Sequence, residues 1–95
     1  MLTNKFDKFI TLVESECEAR NREFKEVEFS SMYIKDKENK VRLQLKVKDK
    51  RIFPQAATMT EEEFFKNLEI MGSIKKVKNA FFDLIVNKAK GGIIP

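Results

Sequence analysis

The densest cluster of groups that could do chemistry in this chain is basic. Lys35, Lys37, Lys40, Arg42, Lys46, Lys48, Lys50 and Arg51 crowd one stretch, against only Asp36, Glu38 and Asp49. Side chains alternate along a strand, so Arg42, Lys46 and Lys48 project to one face. Cations in such a row can track the phosphates of a nucleic acid. Two features weigh the other way. No aromatic residue stands among them to stack on a base, as single-strand binders use. The polar face of a half-exposed strand is also ordinarily rich in Lys and Arg, which discourages edge-to-edge association. Nucleic-acid binding through the hairpin around residues 35–51 is therefore the alternative reading.

The hardware of catalysis is sparse. The chain has no His, the commonest general base near neutral pH and the commonest metal ligand. Its one cysteine, Cys17, falls within an apolar stripe, where a thiol is structural; reactivity needs exposure and a neighbouring positive charge. One Cys and no His rule out a zinc site built from those ligands. The run Glu61-Glu62-Glu63 could hold a hard cation, but the positive end of a helix dipole accounts for it with no ion. No Gly-rich phosphate loop or nucleophile elbow is present. The expectation is a protein that is not an enzyme, with no catalytic residue, cofactor or metal, which leaves binding as its mode of action.

Two further sets point to binding. A helix, Gly72, a capping Ser73 and a second helix opening with Lys75, Lys76 and Lys78 share the outline of a helix-turn-helix. The positions that motif needs apolar hold Asn67, Ser73 and Lys78, and the three lysines spread around the helix at ~100° per residue. A plain helical hairpin that packs the core is the better reading, and Lys75 and Lys76 join Arg42, Lys46, Lys48, Lys50 and Arg51 as candidate anion- or nucleic-acid-binding residues. The other set is apolar. Phe82 and Val86 are four apart on the flank of the last helix, off its main stripe, and Ile93 and Ile94 follow soon after. They are expected to meet a partner, either a larger protein or a second copy of this chain.

The elements that must position these groups follow from periodicity. Leu2, Phe6, Phe9, Ile10, Val13 and Cys17 recur at three- and four-residue spacing, which predicts a helix from about Thr3 to about Arg22, capped by Thr3 or Asn4. Val27 to Ile34 reads as a strand and 35–40 as a turn. Val41, Leu43, Leu45 and Val47 alternate with Arg42, Gln44, Lys46 and Lys48 in the clearest strand of the chain. A third short strand is expected at Arg51-Ile52-Phe53, ended or placed at an edge by Pro54. Thr60 and Glu63 form a capping box for a helix burying Phe64, Phe65, Leu68 and Met71. A last helix is striped by Ile74, Val77, Phe81, Leu84 and Ile85. The fold class is α+β: an N-terminal helix, a small antiparallel sheet of two or three strands, and a C-terminal helical hairpin.

Ninety-five residues, 42% hydrophobic and 36% charged, suit one globular domain with a thin core. Nine Phe residues supply much of its volume. Residues 1–28 hold five bases and seven acids, whereas residues 29–95 hold fourteen bases and eight acids. The basic part attracts an anionic partner at long range, an attraction that salt weakens. A lone Cys fits a reducing compartment, and no run is long enough to span a bilayer. A cytoplasmic protein without membrane contact is expected, in the host cytoplasm if the source is viral. The Lys-, Phe- and Glu-rich composition resembles that of small proteins from low-GC bacteria and their phages, and it assigns no residue a role. The leading expectation is a small regulatory or inhibitory protein that docks on a larger protein or nucleoprotein.

Overall fold

The computed structural model describes residues 4–91. Its elements run α1 (Lys5–Glu23), β1 (Val27–Lys35), β2 (Val41–Asp49), β3 (Gln55–Thr60), α2 (Glu61–Met71) and α3 (Ile74–Gly91). The strands form one antiparallel sheet in the order β1-β2-β3. The architecture is thus the α+β arrangement that the periodicity calls for, with three strands. None of the described helices is long and apolar enough to cross a membrane.

Local chemistry accounts for most boundaries. Asn4 caps α1 by accepting from the Asp7 N–H at 2.9 Å, which satisfies one orphan donor of the first turn. The β1–β2 turn closes on Asp36, whose carboxylate accepts from the N–H groups of Glu38 and Lys40, both at 2.9 Å. Asn39 takes the left-handed conformation there, at φ 61°, which Asn tolerates better than most residues. At the start of α2 the Thr60 hydroxyl accepts from the Glu63 N–H, and the Glu63 carboxylate reaches back to that same hydroxyl, both at 3.1 Å. Gly72 ends α2 at φ 86°, its N–H donating to the Leu68 carbonyl at 2.8 Å. Ser73 then caps α3, accepting from the Lys76 N–H at 3.2 Å.

All three helices cover one face of the sheet. That face carries Phe29, Leu43, Leu45, Val47, Ala57 and Met59, all buried. Against them pack Phe6, Phe9 and Val13 of α1, Phe64 of α2, and Val77, Phe81, Phe82 and Ile85 of α3. The Phe9 ring lies 4.7 Å from that of Phe64 and 5.9 Å from that of Phe81, so aromatic contacts join the three helices. Among the described residues, none forms a layer on the opposite face of the sheet.

Four expectations are corrected. The third strand is Gln55–Thr60, after Pro54, not Arg51–Phe53. Asp49 turns the chain instead, accepting from the Arg51 N–H at 2.8 Å while its carbonyl accepts from Ile52 N–H at 3.3 Å. Pro54 has no donor for a ladder, so regular pairing starts only beyond it. Phe65 of α2 is exposed, although its ring meets Phe64 edge-on at 5.1 Å. Leu84 of α3 is also exposed. Phe82 is 1% exposed and belongs to the core. The last two errors share a cause. α3 packs against both α1 and the sheet, so its buried arc is wide and rotated toward Phe82, which lies ~100° on from Phe81.

Candidate docking surfaces

The apolar partner patch expected on α3 resolves into separate parts. Phe82 is filled in by its own domain: its ring packs 6.0 Å from that of Phe29, under the Arg20 guanidinium. Val86, one turn on, is only partly buried and faces a groove. Ile93 and Ile94 lie outside the described residues.

The groove is built where α1 ends, the sheet ends and the last turns of α3 pass by. Phe24, Val27, Ile52, Val86 and Ala89 form its apolar walls, and its volume is about 410 Å³. Phe24 is 48% exposed at its mouth, so part of this apolar wall stands open to solvent. Its rim is cationic. Arg20, Arg51 and Lys90 border it, with Asp49 as the acid among them. Asp49 is committed to Arg51, whose guanidinium donates to both carboxylate oxygens at 3.2 and 2.8 Å. That bidentate pair holds the Asp49 carboxyl below its usual range. Arg20 donates to Glu16 at 2.9 Å and lies over the rings of Phe82 and Phe29, at 4.7 and 5.4 Å from their centroids. The groove therefore offers an apolar floor bordered by two guanidiniums, each partly offset by a paired carboxylate, and by the Lys90 ammonium.

The basic constellation divides between two sides of the molecule. Arg42, Lys46 and Lys48 are exposed on the uncovered face of β2, the central strand. Their cross-strand neighbours there include Ile34, Ser30 and Glu28 on β1, and Thr60 and Ala56 on β3. Arg42 also reaches Asp36 at 3.4 Å, which offsets part of its charge. Lys50 and Arg51 follow in the turn after β2, Arg51 folded back on Asp49. Lys75 and Lys76 are exposed in the first turn of α3, in the helical layer across the sheet from Arg42, Lys46 and Lys48. They do not extend that surface. Lys78 leaves the set as well. It donates to Glu16 at 3.0 Å from a largely buried position and ties α3 to α1.

The remaining groups read as structural. Burial pushes the Cys17 thiol up to about 11, so it carries no thiolate near neutral pH. Glu16, Asp36 and Asp49 are all held below their ordinary values by hydrogen bonds from neighbouring cations or backbone. Each of the three carboxylates is thus engaged by a neighbouring side chain or backbone N–H. Among the described residues, no three Cys, Asp or Glu side chains converge on a cation-sized site.

Sequence reasoning missed Phe24, Ile52 and Ala89 as groove residues. They come from a helix end, a turn and a distant helix, and no spacing along the chain relates them. The one available signal was Phe24 itself, a large apolar residue just past the end of a polar-ended helix. Comparison with known proteins finds no matching family model and no significantly similar curated protein or solved structure.

Proposed function

We propose that this protein is a small non-enzymatic regulator or inhibitor that docks on a larger protein or nucleoprotein through the groove beside Val86. The observation that carries this reading is the pairing of an apolar floor with a cationic rim. Such a site fits an apolar side chain flanked by carboxylates, as on an acidic amphipathic segment of a partner. The rim charges speed encounter and orient the partner, and the floor supplies affinity by desolvation. Arg20 contributes rigidity, because its guanidinium is already held by Glu16 and two rings and loses little freedom on binding.

A random peptide library selected on the wild-type protein, with a Val86→Glu variant as the counter-selection, tests this. The expected winners combine a large apolar residue with Asp or Glu and bind less tightly as salt rises. Peptides that bind both proteins equally, or no enrichment at all, would discard the groove.

A second reading rests on the uncovered face of β2. Arg42, Lys46 and Lys48 stand there in one row, which suits a polyanion held by its backbone. No aromatic residue lies on that face, so such binding would be indifferent to base sequence and steeply dependent on salt. A gel shift with mixed-sequence nucleic acid at low salt, repeated with Lys46→Glu, decides it. Absence of retardation removes this reading and leaves the groove reading intact.

A further inference from the structure

The two edges of the sheet are protected unequally, and the difference points to a partner. In an antiparallel ladder the N–H and C=O of one residue face the same neighbour, and the direction alternates along the strand. At Phe29 both groups are held by one side chain: the Phe29 N–H donates to Asn21 Oδ1 at 2.7 Å, and Asn21 Nδ2 donates to the Phe29 carbonyl at 2.8 Å. Phe29 therefore faces away from β2, and so do Ser31, Tyr33 and Lys35. Val27 shares the direction, and its N–H is taken by the Phe24 carbonyl at 3.2 Å. The end of α1 thus closes the first half of the β1 edge. From Ser31 to Lys35 the outward backbone groups have no partner among the described residues. The β3 edge is shorter and guarded, by Pro54 before it and by Lys88, whose ammonium donates to the Ala56 carbonyl at 2.9 Å.

We propose that the open half of β1 pairs with the same segment of a second copy of this chain, antiparallel and centred on Tyr33, giving a continuous six-stranded sheet. Only one two-fold register uses all three outward residues. It sets Tyr33 opposite its own counterpart and Ser31 opposite the second copy's Lys35, so that each residue exchanges both backbone bonds. Registers shifted toward Phe29 run into the amide already held by Asn21, and registers shifted toward Lys35 run into the β1–β2 turn or oppose two lysines.

The side chains match this register on both faces. Met32, 59% exposed, meets the second copy's Ile34 in a closely spaced pair on the uncovered face, and both are apolar. Tyr33, 50% exposed, meets its counterpart on the helix side. Charge is complementary as well. Glu14 and Glu18 are exposed and share a helical flank with Asn21, which places them along the edge of β1. The incoming Lys35 stands opposite Ser31 on the helix side, beside those two acids, and the two-fold repeats the pairing.

Solution mass measured across a concentration series tests this on the full chain. The expected result is a dimer at twice the 11.2 kDa of one chain, dissociating on dilution. Tyr33→Pro removes an outward N–H that the β1–β2 ladder does not use, so the variant is expected to keep its circular dichroism and lose the dimer. Lys35→Glu is expected to weaken the dimer by charge reversal, and adding Glu14→Lys and Glu18→Lys is expected to restore it; this series decides if Tyr33→Pro does not fold. A wild-type protein of single-chain mass at its highest soluble concentration would overturn the proposal. So would a dimer that neither Tyr33→Pro nor Lys35→Glu weakens.

Discussion

The Arg20 guanidinium lies 4.7 Å from the centroid of the Phe82 ring, covering an aromatic side chain that joins α3 to β1. Phe82 is therefore a core residue with a cationic lid. Truncation to Phe82→Ala is expected to destabilise the fold by about 3–5 kcal/mol. Arg20→Ala removes the lid and one partner of Glu16, and is expected to cost about 1–2 kcal/mol. Urea unfolding followed by circular dichroism checks both. A Phe82→Ala variant as stable as wild type would return Phe82 to the surface.

Stability should depend on pH through Glu16. The Lys78 ammonium holds its carboxyl below the ordinary 4.5, aided by Arg20 and opposed by burial. A carboxyl with a depressed folded value stabilises the fold above its unfolded value and loses that contribution as pH falls through the folded one. Wild-type melting temperature is expected to drop as pH goes from about 6 to about 3. Glu16→Gln starts lower and falls less over the same range. Parallel curves for the two proteins would show that the Glu16–Lys78 pair contributes nothing.

Asn21 replaces a neighbouring strand at Phe29. Its removal in Asn21→Ala leaves two part-buried backbone groups without their partner, and about 1–2 kcal/mol of stability is expected to be lost. Amide hydrogen exchange locates the effect. The Phe29 N–H should exchange faster in the variant, whereas the N–H groups bonded within the β1–β2 ladder should change only with global stability.

Gly72 is required by conformation and not by space. A Cβ at this position would meet nothing within 4 Å, yet φ is +86°. Gly72→Ala is expected to cost about 1–2 kcal/mol of backbone strain, and Gly72→Asn less, since Asn also serves at this kind of helix end. Denaturant midpoints of the two variants check the order. Equal stability of Gly72→Ala and wild type would mean that the α2–α3 junction relaxes.

Legibility along the chain varied with how local the cause was. The α1 stripe, the alternation in β2 and the Thr60–Glu63 box could be read because each arises within one element. β3 could not. Its inward residues, Ala57 and Met59, are not β-branched, and its β-branched residues, Thr58 and Thr60, face outward, so the apolar alternation of a strand is weak and β2 supplies the complementary ladder. Arg51-Ile52-Phe53 has strand composition, but Asp49 captures Arg51 in a turn. At the candidate sites, parity along β2 correctly put Arg42, Lys46 and Lys48 on one face, while the groove around Val86 had no trace in spacing.

The residues alone determined that a helix is followed by strands and then by two helices, where most helices begin and end, and that no histidine is present for acid–base or metal chemistry. Those properties depend on nearest neighbours, on side-chain period and on residue type. Only the tertiary structure decided that Phe82 is core and Leu84 surface, that the described helices all gather on one side of the sheet, and that Asn21 shuts half of an edge. Each of these depends on which elements come to lie beside one another, and a helix exposes or hides a residue according to how many neighbours surround it.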